Sequence, residues 1–280
     1  SATLTIDAQV NASPVRNLAQ VTAVDEDDPD SQPGENPLDG QNPPDQDDEA
    51  VAVVTGVQVD LELDIEADAT LVNVGDQVTY TITLTVTDNV GGLAGTAFFE
   101  NPYVIGHNSD FTTSFTFQIT SPGNPLTNRS DGVAFVIATD PASLGGGGGG
   151  MGYGGVDPLI PSLAIEFDTH RNGFDVSDSH IGVMTNGNET IHLTQSNVPS
   201  AMDNGDIWKA TISYFGQGDL LVVSLEDLNN PGMTASLSYT IDIAGLMGCG
   251  PAGCVNSYFG LSAGTGGGYA NHDILTWSLA

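Results

Sequence analysis

The sequence predicts an all-β protein in which a jelly-roll β-sandwich follows an additional N-terminal β region. Residues 77–87, 220–225 and 235–243 alternate apolar with polar side chains or are rich in β-branched and aromatic ones, as β-strands are. Clusters of Gly, Asn, Asp and Pro separate such segments, and no window of a dozen residues keeps the apolar stripe of an amphipathic helix. Strands in a chain of 280 residues must pack into two sheets, because a single open sheet would leave its apolar face exposed.

The first 89 residues differ in composition from the rest of the chain. Residues 25–49 are rich in Asp, Pro and Gln and have almost no apolar side chain, so this segment is predicted to be disordered in isolation. Strand-like runs flank it at residues 18–24 and 51–54. We therefore predict an N-terminal β region over residues 1–89, which includes the acidic Pro-rich segment, and the sandwich over residues 90–280.

The charge balance excludes several kinds of partner. The chain has 36 acidic residues and four basic ones, which gives a formal net charge of -32. Such a surface disfavours nucleic acid and anionic membranes and favours calcium. No run of 18 apolar residues occurs, so we predict no membrane insertion. The expected setting is a secreted protein, either extracellular or attached to a cell surface.

Two cysteines, Cys249 and Cys254, stand close together in the segment M-G-C-G-P-A-G-C-V. In a secreted protein this separation, with Gly and Pro in between, fits a small disulfide loop. Two thiols alone cannot form a zinc site, and no redox C-x-x-C motif is present. We therefore predict a disulfide between them.

One short run concentrates residues that bind metals. Residues 166–182 read E-F-D-T-H-R-N-G-F-D-V-S-D-S-H-I-G. Glu166 and Asp168 lie two residues apart in a predicted strand, so both carboxylates point to the same face. The loop that follows is rich in Asn, Gly, Asp and Ser and can fold back over them. The predicted metal ligands are Glu166, Asp168, His170, Asn172, Asp175 and His180.

The ligand types indicate which ions this run binds. Carboxylate, amide and carbonyl oxygens suit calcium, whereas imidazole beside carboxylates suits a transition ion such as manganese. We predict Ca²⁺ and a second divalent ion, either Mn²⁺ or another Ca²⁺, with Asp168 and Asp175 bridging the two. Bound cations would offset the repulsion among these acids. A solvated acidic turn is the alternative interpretation of any single Asp in the run.

The same run resembles the metal-binding segment of legume-type (L-type) lectins, whose pattern is E-x-D-T-x-x-N-x-x-D followed by H-I-G. The resemblance extends over about residues 90–280 and implies a concanavalin-like jelly-roll β-sandwich that binds carbohydrate. Further motifs that carry it, in the expected order, are residues 111–119 (F-T-T-S-F-T-F-Q-I), residues 131–137 (D-G-V-A-F-V-I), a glycine loop at 145–155, and residues 208–225 and 258–279.

The resemblance also implies a sugar site. In this family calcium holds an Asp and an Asn that hydrogen-bond sugar hydroxyls, which places Asp131, behind a cis Ser130–Asp131 peptide bond, as acceptor and Asn172 as donor. An aromatic side chain and two loops complete the site. The implied carbohydrate-binding residues are Asp131, Gly154, Asn172, Phe174, Thr265 and Gly266. Six consecutive glycines at 145–150 predict that the first loop is loose, so that ordering it on binding would lower the affinity.

The N-terminal region resembles another class of protein. Its segment V-G-D-Q-V-T-Y-T-I at residues 74–82 is similar to a signature of Ig-like repeats in large prokaryotic surface proteins, and residues 1–55 are similar to the end of such a repeat. Neither part alone closes a sandwich, and open strand edges favour pairing with a neighbouring chain. The alternative interpretation is therefore a structural subunit of an extracellular filament, a homo-oligomer formed by strand donation, in which metal ions stiffen the lectin-like sandwich.

The sequence argues against an enzymatic function. β-Glucanases with a similar sandwich use an E-x-D-x-x-E motif, in which one carboxylate attacks and another protonates the leaving oxygen. Arg171 occupies the third acidic position here, and Glu166 as a metal ligand could not act as a general acid. His107, His192 and His272 are expected at surfaces or in satisfied turns. We therefore predict a calcium-dependent carbohydrate-binding module, not an enzyme, from a prokaryotic cell-surface adhesin or fibre, with a glycan as its partner.

Overall fold

A computed structural model of the chain describes residues 15–20, 49–54, 58–59, 61–67, 80–122, 129–250 and 254–280. The chain divides into two compact units, Ser1–Gln58 and Val59–Ala280. In the first unit, strands β1 (Val15–Gln20) and β2 (Glu49–Val54) pair antiparallel. Apart from Glu49, the acidic Pro-rich segment 25–49 lies outside the described residues.

The second unit is built almost entirely of strands, as the sequence predicts, and contains one short α-helix, α1 (Ile243–Leu246), within the described residues. None of the helices in the described ranges is long and apolar enough to cross a membrane. The further strands, in chain order, are β3 (Gln58–Val59), β4 (Glu62–Ala67), β5 (Tyr80–Thr87), β6 (Leu93–Phe98), β7 (Tyr103–Val104), β8 (Phe111–Thr120), β9 (Gly132–Ala138), β10 (Ser162–Asp168), β11 (His180–Thr185), β12 (Thr194–Asn197), β13 (Ile207–Phe215), β14 (Leu220–Asp227), β15 (Thr234–Thr240), β16 (Asn256–Gly264) and β17 (Asn271–Leu279).

These strands form two antiparallel sheets that pack as a sandwich. One sheet has the order β12-β11-β10-β9-β16-β6-β3, with β7 also paired to β16, and the other has the order β15-β14-β13-β8-β17-β5-β4. Strand β8 alternates buried and more exposed side chains, so its aromatic residues point inward. The rings of Phe115 and Phe117 meet Phe167 of β10 at centroid distances of 5.7 and 5.6 Å, which joins the two sheets in one core. The predicted all-β jelly-roll sandwich is confirmed.

Strands β9 and β10 lie in the middle of the first sheet and are buried along their whole length. Their inner faces contribute to the main core, and their outer faces to a second apolar cluster that includes Met151 and Tyr153 of the glycine loop. The glycine loop therefore packs on the outside of this sheet. This packing places the loop beside the end of β10, where the predicted metal ligands begin.

The N-terminal boundary of the sandwich differs from the predicted division at residues 89 and 90. Strand β4 pairs with β5, and β5 pairs with β17, so both extend the second sheet. The second unit accordingly begins at Val59. Alternating β-branched residues at 77–87 suit a strand of this sheet as well as a strand of an Ig-like repeat. The Ig-like character of residues 1–89 stays a prediction.

The C-terminal part of the chain contains a disulfide bond and a buried histidine. Cys249 and Cys254 form a disulfide, with their Cα atoms 4.0 Å apart. His272 was expected at a surface or turn but is fully buried on β17, where Nδ1 lies 2.7 Å from the Thr87 hydroxyl. Burial lowers the pKa of His272 to about 3, so this imidazole is neutral and structural.

Candidate metal and carbohydrate site

The predicted metal-binding run folds as its spacing indicates. Glu166 and Asp168 share a face of β10, and Asp168 is the direct cross-strand partner of His180 at the start of β11. The loop between the two strands returns Asp175 to the same place. All four side chains are buried, with at most 7 % of the surface of each residue exposed. An acidic cluster at this depth needs cations or protons to offset its charge.

The positions of the donor atoms fit metal ions. Two groups of three side chains each bring their ligand atoms within 4.8 Å of one another: Glu166, His180 and His192, and Asp168, Asp175 and His180. Among the described residues, Asp175 Oδ1 and His180 Nε2 are buried without a hydrogen-bond partner. The other ring nitrogen of His180, Nδ1, lies 3.1 Å from the Ser177 carbonyl oxygen, which leaves Nε2 directed at the acids.

Burial also shifts the proton affinities of these groups. It raises the pKa of Glu166, and together with the neighbouring Glu166 charge it raises the pKa of Asp168 well above the ordinary value. Burial lowers the pKa of His180. A neutral imidazole is the form that binds a metal, and carboxyl groups that hold their protons must release them when an ion enters. Metal binding at this cluster is therefore coupled to proton release.

The sequence analysis missed one member of the cluster, His192. This residue was expected at a surface or in a satisfied turn, but its side chain is only 3 % exposed and its Nε2 lies 3.5 Å from Glu166 Oε2 and 3.7 Å from Asp175 Oδ1. It lies in the connection between β11 and β12, outside the run that carries the other ligands. Only the pairing of these strands brings it back, so no local spacing could have indicated it.

The remaining predicted metal ligands lie in the loop after β10. The backbone N–H of Asn172 donates to Asp175 Oδ2 at 2.5 Å, and that of His170 donates to Asp168 Oδ1 at 2.6 Å. Asn172 is half-buried, whereas the His170 side chain is exposed and belongs to neither donor group. For His170, the backbone carbonyl is therefore the group that could take the predicted role.

Asp131, the predicted sugar acceptor, lies immediately before β9 and next to the metal cluster. Its peptide bond with Ser130 is cis, as the resemblance implied. The Asp131 backbone accepts from Thr169 N and donates to Gly264 O, both at 2.9 Å, which fixes it between β10 and β16. The residue is 5 % exposed, and its Oδ2 has no hydrogen-bond partner within the described parts of the chain. Burial raises the pKa of Asp131 to about 6.

The glycine loop is ordered, contrary to the prediction of a loose loop. Backbone hydrogen bonds of 2.8 Å join Gly145 N to Gly152 O, and Gly148 N to the carbonyl of Thr265 in the last loop. The Tyr153 side chain is fully buried and its hydroxyl donates to Glu166 Oε1. The glycines are therefore needed for close backbone packing, and the loop is attached to the metal cluster rather than free.

Two of the predicted sugar-binding residues have other roles in the structure. The N–H of Gly154 donates to Gly150 O at 2.7 Å and the residue is buried, so this amide is not available to a sugar. The Thr265 hydroxyl donates to Val90 O at 2.6 Å and accepts from Leu93 N at 2.9 Å, so it is also engaged. These two assignments are corrected, because the loops use both groups to hold themselves in place.

Other glycines approach the predicted sugar-binding side chains more closely. A Cβ atom placed on Gly266 would lie 3.2 Å from Asp131 Oδ2, and one placed on Gly149 would lie 3.7 Å from Asn172 Nδ2. Gly266 is thus beside Asp131, as predicted, whereas Gly149 takes the place expected of Gly154. The Phe174 residue is 40 % exposed and its ring centroid lies 5.9 Å from that of His192. These groups combine polar side chains with one exposed aromatic ring.

A separate cavity of about 620 Å³ lies along the other side of the metal-binding loop. Its lining includes Arg129, His170, Arg171, Asp178 and Asp203 and none of the predicted sugar-binding residues. The chemistry of the surface around Asp131, rather than the size of a cavity, indicates where a sugar would bind. A buried carboxylate oxygen without a partner is the group that a sugar hydroxyl can satisfy.

Comparison with known proteins agrees with these geometric features. The model of the legume lectin domain family matches residues 58–280. A lectin of Pisum sativum is 32% identical over 217 residues, which cover 73% of this chain and 76% of that protein. The crystal structure of the basic winged bean lectin with Tn-antigen shares 28% identity at a TM-score of 0.59 and covers 78% of this chain and 91% of that one. The acidic winged bean lectin complexed with methyl-α-D-galactose shares 26% identity at a TM-score of 0.58, with the same coverage.

Proposed function

Because the chain belongs to the legume lectin family, we propose that it is a calcium-dependent carbohydrate-binding protein in which Asp131 and Asn172 hold the sugar. The observation that carries the proposal is the state of Asp131. Its carboxylate is buried, is fixed by two backbone hydrogen bonds, and has one oxygen without a partner among the described residues. A hydroxyl group of a sugar would satisfy that oxygen through a charge-assisted hydrogen bond.

Bound metal ions would act on the sugar site through the loop that follows β10. Asp168, Asn172 and Asp175, with the carbonyl of His170, would hold Ca²⁺, whose preferred ligands are such oxygens. Glu166, Asp168, Asp175 and His180 would hold the second divalent ion, either Mn²⁺ or another Ca²⁺. Both ions would fix this loop, and with it the Asn172 amide. Without them the buried acids repel one another, and the loop loses the support that orients Asn172.

The glycan is the proposed partner, and Phe174 is the proposed aromatic contact to the apolar face of the sugar ring. Two related lectins have structures with Tn-antigen and with methyl-α-D-galactose, which makes these two compounds suitable first probes. We place the protein outside the cell or on its surface as an adhesin module, because its net charge of -32 suits a calcium-containing medium. We propose no enzymatic activity for the chain, and the relatives that it matches are lectins.

A glycan array tests the proposal. The labelled protein should bind a limited set of glycans in the presence of calcium and manganese, and this binding should disappear with a chelator and return when calcium is restored. Calcium restores binding because it re-forms the loop that presents Asn172. Binding that persists unchanged in the chelator would contradict the proposed calcium dependence.

The filament alternative predicts a different outcome in the same experiment. If the lectin-like sandwich only stiffens a fibre, the metal-loaded protein binds no glycan on the array. That result would remove the carbohydrate proposal and favour a structural subunit. Assembly through strand donation concerns residues 1–89, much of which lies outside the described ranges, and it stays a prediction.

A further inference from the structure

We propose that His192 is a direct metal ligand, in addition to Glu166, Asp168, Asp175 and His180, and that it makes this inner ion site selective for zinc-like transition ions. This inference rests on the metal site of the proposed function and deepens it. The observation behind it is that an imidazole from outside the ligand run is buried among the acids of the cluster. A polar side chain at this depth requires a partner.

The distances around His192 suit a shared ion better than direct hydrogen bonds. Its Nε2 lies 3.5 Å from Glu166 Oε2 and 3.7 Å from Asp175 Oδ1, and His180 Nε2 lies 3.6 Å from the same Asp175 oxygen. Ligand atoms about 2.1 Å from one zinc ion are about 3.0–3.4 Å apart, depending on the coordination number. Neither ring nitrogen of His192 has a hydrogen-bond partner within the described ranges.

The backbone is shaped to admit the His192 ring. A Cβ atom on Gly182 would lie 2.6 Å from His192 Cδ2, so any larger residue at this position of β11 would displace the imidazole. The ring also lies between His180 and Phe174, at centroid distances of 5.5 and 5.9 Å. An ion bound to His192 would therefore hold the imidazole in place beside Phe174, the proposed sugar-stacking ring.

The donor set determines which ion the inner site prefers. Two imidazoles beside the carboxylates favour zinc over manganese more than one imidazole would, because affinity for nitrogen donors rises from Mn²⁺ along the first transition series. Calcium prefers oxygen donors and gains little from a second imidazole. The outer site, with the oxygens of Asp168 and Asn172, has no such nitrogen donor from His192. The two sites should therefore differ in their response to substitution of His192.

Titration of the chelator-treated full chain with Zn²⁺, Mn²⁺ or Ca²⁺ tests this inference. His192→Ala should lower the zinc affinity about tenfold or more, since even the loss of an outer-shell partner weakens metal binding on that scale. Manganese affinity should fall less, and calcium affinity should not change. The control is His107→Ala, which removes an exposed imidazole paired with Asp242.

Nitrogen NMR of the histidine-labelled chain provides a readout that is independent of sugar binding. Zinc should shift the Nε2 resonances of both His180 and His192 in the wild type, and it should leave His107 unchanged. A His192 resonance that zinc does not shift, or an unchanged zinc affinity in a folded His192→Ala variant, would overturn the inference. Silence on the glycan array with normal zinc binding would instead remove only the carbohydrate proposal.

Discussion

Substitution of Asp168 by Asn should abolish both metal binding and glycan binding while it stabilises the metal-free protein. Asp168 is 3 % exposed, lies in the donor group with Asp175 and His180, and is the proposed bridge between the two ions. Loss of this carboxylate removes a charge from both sites. The protein should then lose the stabilisation that bound ions supply, which is about 2.7 kcal/mol for each ion present at one hundred times its dissociation constant.

In the presence of a chelator, Asp168→Asn should instead raise the free energy of unfolding. Burial and the charge of Glu166 raise the pKa of Asp168, so the metal-free fold loses stability as pH rises and these acids ionise. Asparagine cannot ionise and avoids that cost. Thermal unfolding above neutral pH, with metal and with chelator, should show the two effects for Asp168→Asn. Asp178→Asn is the control, because Asp178 is an exposed acid of the same loop and should change neither value. Equal metal affinity in wild type and Asp168→Asn would contradict the bridging role.

The second large effect is expected from Asp131→Asn. This variant should lose glycan affinity by about 100-fold or more, because a hydrogen bond to a charged group contributes about 1.5–3 kcal/mol and Asp131 can make more than one. Asparagine keeps the shape of the side chain but not its charge. Metal affinity should remain, since Asp131 belongs to neither group of metal donors. Isothermal titration with a glycan from the array measures the first value, and titration with calcium measures the second.

A matched control for Asp131→Asn is Asp157→Asn. Asp157 is exposed, follows the glycine loop, and has a positive φ of 52° that asparagine tolerates equally well. The Asp157→Asn variant should bind glycan with the affinity of the wild type. If Asp131→Asn retained full affinity, the sugar would have to bind elsewhere, and the cavity lined by Arg129 and Arg171 would be the next surface to examine.

The parts of the site that the sequence predicts are those that depend on local spacing. Glu166 and Asp168 share a face because the strand period is two, and the loop after them is short enough to return Asp175 and His180. The strand pattern of β8 likewise predicts which side chains enter the core. Such inferences require only one element and its immediate connection.

Features that depend on contacts between distant segments could not be predicted in this way. His192 enters the cluster only because its connection packs on Gly182, and nothing near it in the sequence marks it as a ligand. The glycine loop has the composition of a flexible segment, yet its order comes from a hydrogen bond to Thr265, which belongs to the last loop of the chain. Composition indicates which conformations a loop can adopt, but it does not show which distant residues hydrogen-bond to the loop.

The edge of the sandwich illustrates the same limit. Alternating β-branched residues at 80–87 predict a strand, but they do not show which sheet the strand joins. In the structure it pairs with β4 and with β17. A strand of this sandwich and a strand of a preceding domain have the same residue pattern, so the predicted boundary rested on a resemblance and not on strand pairing.

A crystal structure of the metal-loaded protein with a glycan selected on the array would show whether Asp131 and Asn172 hold the sugar. We expect hydroxyl groups of the sugar within hydrogen-bond distance of the Asp131 carboxylate and the Asn172 amide, beside Gly149 and Gly266, with an ion bound between Asp168 and Asp175. Binding of the glycan away from Asp131, or at Asp131 with no ion in the cluster, would contradict this expectation.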